Sequence, residues 1–541
     1  MPMKNQHFMR AIEVWKGAIG EQSVTMHEIS MPDSCAYAAD VDVLAKLRPA
    51  DIDGIRQCLA IAAMHGVPVY PISSGRNWGY GSANPTQAAA ILDLSRLSQI
   101  TDYDQTLGTV SVQPGVTQQQ LHDFLKQQGG RFWMDATGSS AACSVLGNTL
   151  ERGFGHSPYS DHAGQVVCME VMLADGRIIQ TGLGHLAGAK AANYYGSGLG
   201  PGLAALFLQS NFGVVTSITI NLMPAPEYFQ AVYFSITQQD GLAPLIEALQ
   251  PLRLRGVIRS ALHIGNAYRV LSSIQQYPWA EAGGVTPLPE SVLRDFGRRW
   301  GFGAWNGSGA LYGSRREVAE ARRSIKSALS GRVSNLRFMD DDALTWAKRL
   351  QKPYQWLTGS NLPEMLKLIE PVHNMMKGKP TDRIIASTYW RKKMAIPADM
   401  DPDRDRCGLI WCAHVAPTKG PFAKEMTEIS AKILMEYGFE PGMTLTMINE
   451  RCLDNVVSIS YDRDVPGEDQ RAMACYAKLT RTLIEAGYFP YRLGSYAMQL
   501  MQQYGGSEYM ELLGQLKRLF DPNQLISPGR YIPQSQRKNK T

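Results

Sequence analysis

A chain of 541 residues with 44% hydrophobic and 19% charged residues is long enough for at least two packed domains and too apolar to stay disordered. The formal net charge of +5 is spread over 54 basic and 49 acidic residues without a long basic stripe, which argues against a nucleic-acid partner, and the basic end 537–541 reads as a solvated tail. No run reaches the roughly 18 uncharged apolar residues of a membrane span and the N-terminus has no signal-peptide core, so a cytoplasmic protein without membrane attachment is expected.

In chain order, PADIDGIRQCLAIAAMHG (49–66) has helical spacing, VPVYPIS (67–73) and AAAILDL (88–94) read as strands, and TVSVQPGVTQQQLHDFLKQQG (109–129) as strand, turn and helix. VVCMEVMLADGRIIQTG (166–182) predicts a hairpin turning at Asp175-Gly176, and NFGVVTSITINLMPAP (211–226) a strand closed by prolines. From about 230 to 490, amphipathic helices such as AKEMTEISAKILMEYG (423–438) alternate with strands such as CGLIWCAHVAP (407–417) and NVVSISYDRD (455–464), which predicts a second domain with its own core. The pattern is α+β. A final helix is stopped by Asp521-Pro522.

Eight cysteines, at 35, 58, 143, 168, 407, 412, 452 and 475, lie far apart without CxxC spacing and read mostly as buried thiols. The ten histidines include no HExxH-type ligand spacing, so no metal is expected. After the first predicted strand, Gly75, Gly79 and Gly81 alternate with Arg76, Asn77, Trp78 and Tyr80. Glycines placed so suggest backbone amides gathered around an anion. The order GxxxGxG is not the dinucleotide fingerprint, and it suits an ordinary tight turn equally well.

Six segments taken in order, PISSGRNWGYGSANP, SVLGNTLERGFGHSPYSDH, LFLQSNFGVVTSITINLMP, WNGSGALYG, PYRLGSYAM and FDPNQLISPGRY, resemble the flavoprotein family of vanillyl-alcohol oxidase and the flavin subunit of p-cresol methylhydroxylase, over residues 40 to 533. The resemblance implies a two-domain FAD-binding fold with an antiparallel-sheet substrate cap. Residues 1–240 and 492–541 would form the split FAD domain, and 241–491 the cap. It further implies that Pro71, Ser73, Ser74, Gly75, Arg76, Asn77 and Gly79 wrap the FAD pyrophosphate, with Ser144, Gly147, Asn148, Gly153, Val215 and, more loosely, Arg530 around the cofactor.

The substrate implied is a para-substituted phenol, a 4-alkylphenol, 4-allylphenol or 4-hydroxybenzyl alcohol. Binding it as phenolate at neutral pH requires about 3 units of pKa shift, or roughly 4 kcal/mol. Charge-assisted hydrogen bonds of about 1.5–3 kcal/mol each make Tyr80, Tyr491 and Arg492 sufficient. The alternatives are a Tyr80 packed with Trp78 in an aromatic patch and a surface Tyr-Arg dipeptide. The resemblance further implies that, with the ring ionised, hydride would pass to the flavin and leave a p-quinone methide. Asp161 matches the family aspartate that would balance charge and activate water, or else caps a loop; Glu450 matches more loosely, and His162 is expected to be structural.

Many members tether FAD through a His or Tyr on a cap strand. The aligned position here is Leu409, which has no nucleophile, while His414 falls on the opposite face of a regular strand. The histidine expected to assist tethering has no counterpart in 33–47, so non-covalent FAD is expected. The segments 410–420 and 458–479 are similar to the hydroxylase branch, which implies a dehydrogenase or hydroxylase that passes electrons to cytochrome c or another acceptor, as a homodimer. An oxygen-dependent oxidase of the same substrates and a non-catalytic electron-relay subunit for a cytochrome are the alternatives.

Overall fold

The computed structural model describes residues 2–26, 41–81, 83–358 and 362–532; Cys35 and the basic tail lie outside them. The helix Ile52–His65 starts where Asp51 accepts a hydrogen bond from Gly54 N at 2.8 Å and ends at Gly66, which adopts a φ of 64°. Its apolar face, Ile55, Cys58, Leu59 and Ala62, packs with Ile12 and Trp15 of helix Pro2–Ile19 over a four-stranded sheet. The strand order is Val24–Met26, Val43–Leu47, Ala89–Asp93, Val69–Ile72, with only the first pair antiparallel. Ala89–Asp93 is buried throughout, as a central strand covered on both faces must be. Val69 also bridges Ile526, which fastens the C-terminal return to this first sheet.

A second, antiparallel sheet has the order Ile100–Asp104, Thr109–Val112, Val214–Asn221, Val166–Met172, Ile178–Gln180. The hairpin turns at Asp175-Gly176, with Gly176 at φ 83°. Helix Gln118–Gln127 is held by a capping box between Thr117 and Gln120.

The cap is an eight-stranded antiparallel sheet. Its order is Asn335–Met339, Tyr228–Ile236, Trp305–Gly313, Leu262–Asn266, Gly442–Met447, Cys452–Asp462, Cys407–Pro417, Phe489–Pro490. Its earliest strand is Tyr228–Ile236, so the crossing into the cap lies near 225–227 rather than at 240. The short ladder of Met223–Pro224 with Phe132–Trp133 ends after Ala225 N donates to Arg131 O, at Pro226, which has no amide hydrogen to donate.

Alternation along the strands gives the cap sheet two distinct faces. Ile410, Cys412 and Ala416, with Leu453, Val457 and Ile459 opposite them, face helices Leu242–Leu254, Gly420–Glu436 and Glu468–Glu485 in the largest core. Leu409 and Trp411, with Val456, Thr444, Thr446 and His263 across the ladder, face the other way, toward the FAD-domain segments. Each buried aliphatic side chain of the first face contributes about 1.5–3 kcal/mol, which holds the second face in place. Among the described residues no helix is long and apolar enough to cross a membrane.

Candidate active site

The strand Val69–Ile72 leads into the glycine loop, and the amide N–H groups of residues 73–77 donate to no acceptor among the described residues. Opposite them, Ser144 caps the helix Val145–Leu150: its Oγ accepts from Gly147 N at 2.9 Å and donates to Pro114 O at 2.6 Å. A Cβ on Gly147 would lie 2.1 Å from Ser73 Oγ, so the two segments approach as closely as they do because Gly147 has no side chain. The cleft between them, about 120 Å³, is lined by Pro71, Ser73, Ser74, Gly75, Arg76, Asn77, Ser144, Gly147, Asn148, Val215 and Arg530, with Leu94, Phe207 and Ile526 as apolar wall.

Gly79 lies beneath the cap instead of in this cleft. Its carbonyl accepts from Trp411 N at 3.1 Å and from the Tyr496 hydroxyl at 3.1 Å, and its φ is 86°. A Cβ there would stand 2.2 Å from Trp411 Cδ1. Gly79→Ala therefore combines a left-handed backbone cost of roughly 1–2 kcal/mol with a clash against the cap strand. The expected result is FAD binding weakened at least about 10-fold, measured as the flavin-to-protein ratio after dialysis. A full complement of flavin would show that this contact does not order the loop.

A larger cavity of about 430 Å³ opens between the loop and the cap sheet. Tyr80, Tyr491, Arg492, Gly153 and Asn148 line it. Arg492 is buried and its Cζ stands 4.2 Å from the centroid of the Tyr80 ring. The Tyr80 and Tyr491 hydroxyls share a hydrogen bond. With its amide oxygen turned to the guanidinium, Asn77 accepts from Arg492 Nη2 at 2.6 Å and Nη1 at 2.9 Å. Burial holds both tyrosines protonated by raising their pKa values; the charge of Arg492 opposes that shift. Tyr80 thus lies under Arg492, and Trp78 points elsewhere, donating to Asp403 at 3.0 Å.

Glu151 was not singled out in the sequence, yet it organises this corner. It is buried, forms an ion pair with Arg492 (Nε to Oε2, 3.2 Å), pairs with Arg530 through its other oxygen and accepts from the Tyr531 hydroxyl at 3.0 Å. Arg530 also donates to Tyr70. Burial alone would raise the Glu151 pKa; the two guanidiniums reverse this and hold it below the usual range. Arg492 is likewise kept charged, since Glu151 overrides the burial that would lower its pKa.

Two further groups have no local sequence signal. Asp135, buried, accepts from Ser157 N at 2.6 Å and lies 2.7 Å from His162 Nε2, and His162 Nδ1 lies 2.6 Å from Asn148 Oδ1. His162 is thereby a strut behind the cofactor cleft. His263 on the cap donates from Nε2 to Gly155 O at 3.2 Å and takes Thr446 as its Nδ1 partner at 3.2 Å; burial lowers its pKa to about 3, so it is neutral.

Two expected residues are not brought to the cavity. Asp161 is exposed, its Oδ1 accepting from Gly164 N at 3.0 Å, and it does not line the cavity. The 155–160 turn directs it to the surface, where its carboxylate holds the amide of Gly164 in the short helical turn Ala163–Gln165. Glu450 is also exposed, at the turn between strands Gly442–Met447 and Cys452–Asp462, where Asn449 accepts from the amides of Arg451 and Cys452 at 2.8 and 2.7 Å. A two-strand hairpin sends its tip beyond the sheet, away from the face that lines the cavity.

Leu409 is buried against Trp78, Tyr389 and Trp411. His414 lies on the helix-packed face, with Cys412 Sγ 3.4 Å from its Nδ1, and burial lowers its pKa to about 3. Cys58, Cys143, Cys407, Cys412 and Cys475 are buried free thiols. No group of three or more His, Cys, Asp or Glu among the described residues is arranged to hold a metal ion.

Residues 43–182 match the FAD binding domain family, and 456–531 the C-terminal domain of FAD linked oxidases. The chain is 38% identical over 533 residues to 1'-carboxy-chondrochloren decarboxylase of Chondromyces crocatus, covering 98% of each. Among solved structures it superposes on p-cresol methylhydroxylase with substrate bound (TM-score 0.86, 26% identity, 98% of this chain and 97% of the other). It also superposes on 4-ethylphenol oxidase from Gulosibacter chungangensis in an isoeugenol complex (TM-score 0.88, 25% identity, 98% of both).

The chain belongs to the vanillyl-alcohol oxidase/p-cresol methylhydroxylase family. This flavoprotein is an FAD-linked oxidoreductase with the two-domain fold of that family. Its residues fit the cofactor. The undonated amides of 73–77 can meet a pyrophosphate, the Gly147–Ser73 approach leaves the cleft clear of side chains, and Leu94, Phe207 and Val215 supply an apolar wall for an aromatic ring system.

Proposed function

We propose that this flavoprotein oxidises a para-substituted phenol, a 4-alkylphenol, 4-allylphenol or 4-hydroxybenzyl alcohol, bound as its phenolate. The observation that carries this reading is the buried cage of Tyr80, Tyr491 and Arg492 on the wall of the 430 Å³ cavity. Two protonated tyrosine hydroxyls and a guanidinium locked by Glu151 and Asn77 stabilise an oxyanion and disfavour the neutral phenol. FAD, when bound, accepts the hydride. The chain's own residues then do three things: the cage holds the ring ionised, so that electron release favours hydride loss from the para carbon; Trp411 and Val456 wall the side chain; and the neutral His263 closes the seam between cap and FAD domain. The p-quinone methide left behind takes up water or loses a proton. The relatives named for p-cresol and 4-ethylphenol support the substrate class.

Anaerobic mixing of the holoprotein with a 4-alkylphenol should bleach the flavin, whereas the methyl ether of the same phenol should not, because an ether cannot ionise. Bleaching by the ether would overturn the reading. Admitting air or cytochrome c afterwards identifies the acceptor. Non-covalent FAD, a homodimer and a cytoplasmic location belong to the same proposal. Because Leu409 offers no nucleophile and His414 faces away, denaturation should release all the flavin into the supernatant. Flavin fluorescence on the denatured polypeptide would refute it.

A second outcome for the quinone methide is favoured by the decarboxylase name of the 38% relative. If the carbon next to the reacting one carries a carboxylate, its bond to that carboxylate can break. The pair forms an alkene and returns ring electrons to the phenolate, and CO2 leaves. Product analysis for CO2 and an alkenylphenol tests this route.

A further inference from the structure

The 430 Å³ cavity is lined by three arginines, Arg269, Arg337 and Arg492, and by no Asp or Glu among the described residues. Their situations differ. Arg492 has the Glu151 carboxylate and Asn77. Arg337 is exposed and donates to Asn335 Oδ1 at 3.3 Å. Arg269, in the first turn of helix Ala267–Ile274, is partly buried and its side chain makes one long hydrogen bond, to the neutral Ser387 hydroxyl at 3.4 Å. No carboxylate pairs with it among the described residues.

A guanidinium offers five donors in a rigid fork, and Arg269, partly buried at the cavity wall, commits only one of them, through a long bond to a neutral hydroxyl. Burial lowers its pKa to about 10, so it still carries its charge at neutral pH. Its Cζ stands 5.4 Å from the Trp411 ring centroid, and Trp411 is also the residue that a Cβ on Gly79, next to Tyr80, would strike. The indole thus lies against the loop that carries the phenolate cage on one side and against Arg269 on another. Val270, Trp300 and Phe302 add apolar wall beside it.

Resting on the phenol reading above, we infer that Arg269 is the anchor for a carboxylate on the substrate's para side chain, so that the substrate class is a 4-hydroxyphenyl compound with an acidic tail. The fork of Arg269 matches a carboxylate in bidentate fashion, and the acid-free lining leaves the second negative charge unopposed.

The test compares 3-(4-hydroxyphenyl)propanoate with 4-propylphenol, which share a ring and a three-carbon tail and differ in the carboxylate. Binding to the holoprotein is read from the perturbation of the flavin absorbance, and turnover from kcat/KM, in wild type, Arg269→Leu and Arg269→Lys. The wild type should prefer the acid in both measurements. Arg269→Leu should cut the acid-to-alkyl ratio about 10- to 100-fold, the loss expected for one charge-assisted pair, and Arg269→Lys should fall between, since it keeps the charge and loses the fork. A ratio that stays within about twofold of wild type in Arg269→Leu overturns the anchor, as does a wild type without preference for the acid. Equal loss for both ligands, with reduced flavin content, likewise overturns it and assigns Arg269 to the cofactor. Failure of the phenol reading is seen separately, as flavin bleaching by the O-methyl ether of either compound; in that case the binding ratio alone still decides the anchor.

Discussion

Replacing Arg492 by lysine should slow flavin reduction by a 4-alkylphenol about 100-fold while leaving FAD bound. The guanidinium faces Asn77 through both Nη atoms, Glu151 through Nε, and the Tyr80 ring through its flat side. A lysine ammonium keeps the charge and cannot hold these directions together. The oxyanion then loses one well-placed charge-assisted bond of about 1.5–3 kcal/mol, and each 1.36 kcal/mol is a factor of ten in rate. Stopped-flow reduction per bound flavin checks it, since that normalisation cancels any cofactor loss. Reduction at the wild-type rate would remove Arg492 from the mechanism.

The second large effect belongs to stability. Glu151→Gln leaves two buried guanidiniums, those of Arg492 and Arg530, with their shared carboxylate gone. Removing one partner from a buried charge cluster costs about 3–5 kcal/mol, and the melting temperature should drop by several degrees. The sign with pH follows from the lowered pKa of Glu151. A carboxylate whose pKa is lower in the folded chain contributes stability that is fully present above the unfolded value of about 4.3 and is lost as pH falls below it. The melting-temperature gap between wild type and Glu151→Gln should therefore be full at pH 6 to 7, persist to about pH 5, and narrow only as pH falls below about 4 toward the lowered folded-state value. A gap that does not narrow on acidification would mean that Glu151 acts through packing and not through charge.

Local features of this fold were readable from the chain because their causes are local. The helical spacing of 49–66 and 118–127 matches helices Ile52–His65 and Gln118–Gln127, Asp175-Gly176 turns a hairpin between adjacent strands, and Asp521-Pro522 ends the last helix. Alternation in 407–417 was enough to place Leu409 and His414 on opposite faces. The glycine loop and Tyr491-Arg492 were legible only through the resemblance, since GxxxGxG and a Tyr-Arg pair have ordinary uses as well.

What the sequence by itself determined is the set of elements, the family and the short segments that meet the cofactor. The tertiary structure alone decided which charges meet. Glu151 and Arg530 are 379 positions apart, and Asn77 meets Arg492 where Ser495 ties the C-terminal segment to the glycine loop through the carbonyls of Tyr80 and Gly81. Asp161 and Glu450, chosen for their type and place in a motif, are turned to the surface by a loop and a hairpin tip. Arg269 carries no motif at all, and its meaning comes from the acid-free cavity around it. Caps and turns are set by bonds over three or four residues, whereas the partner of a buried charge is set by how sheets pack, a property that no short window of residues contains.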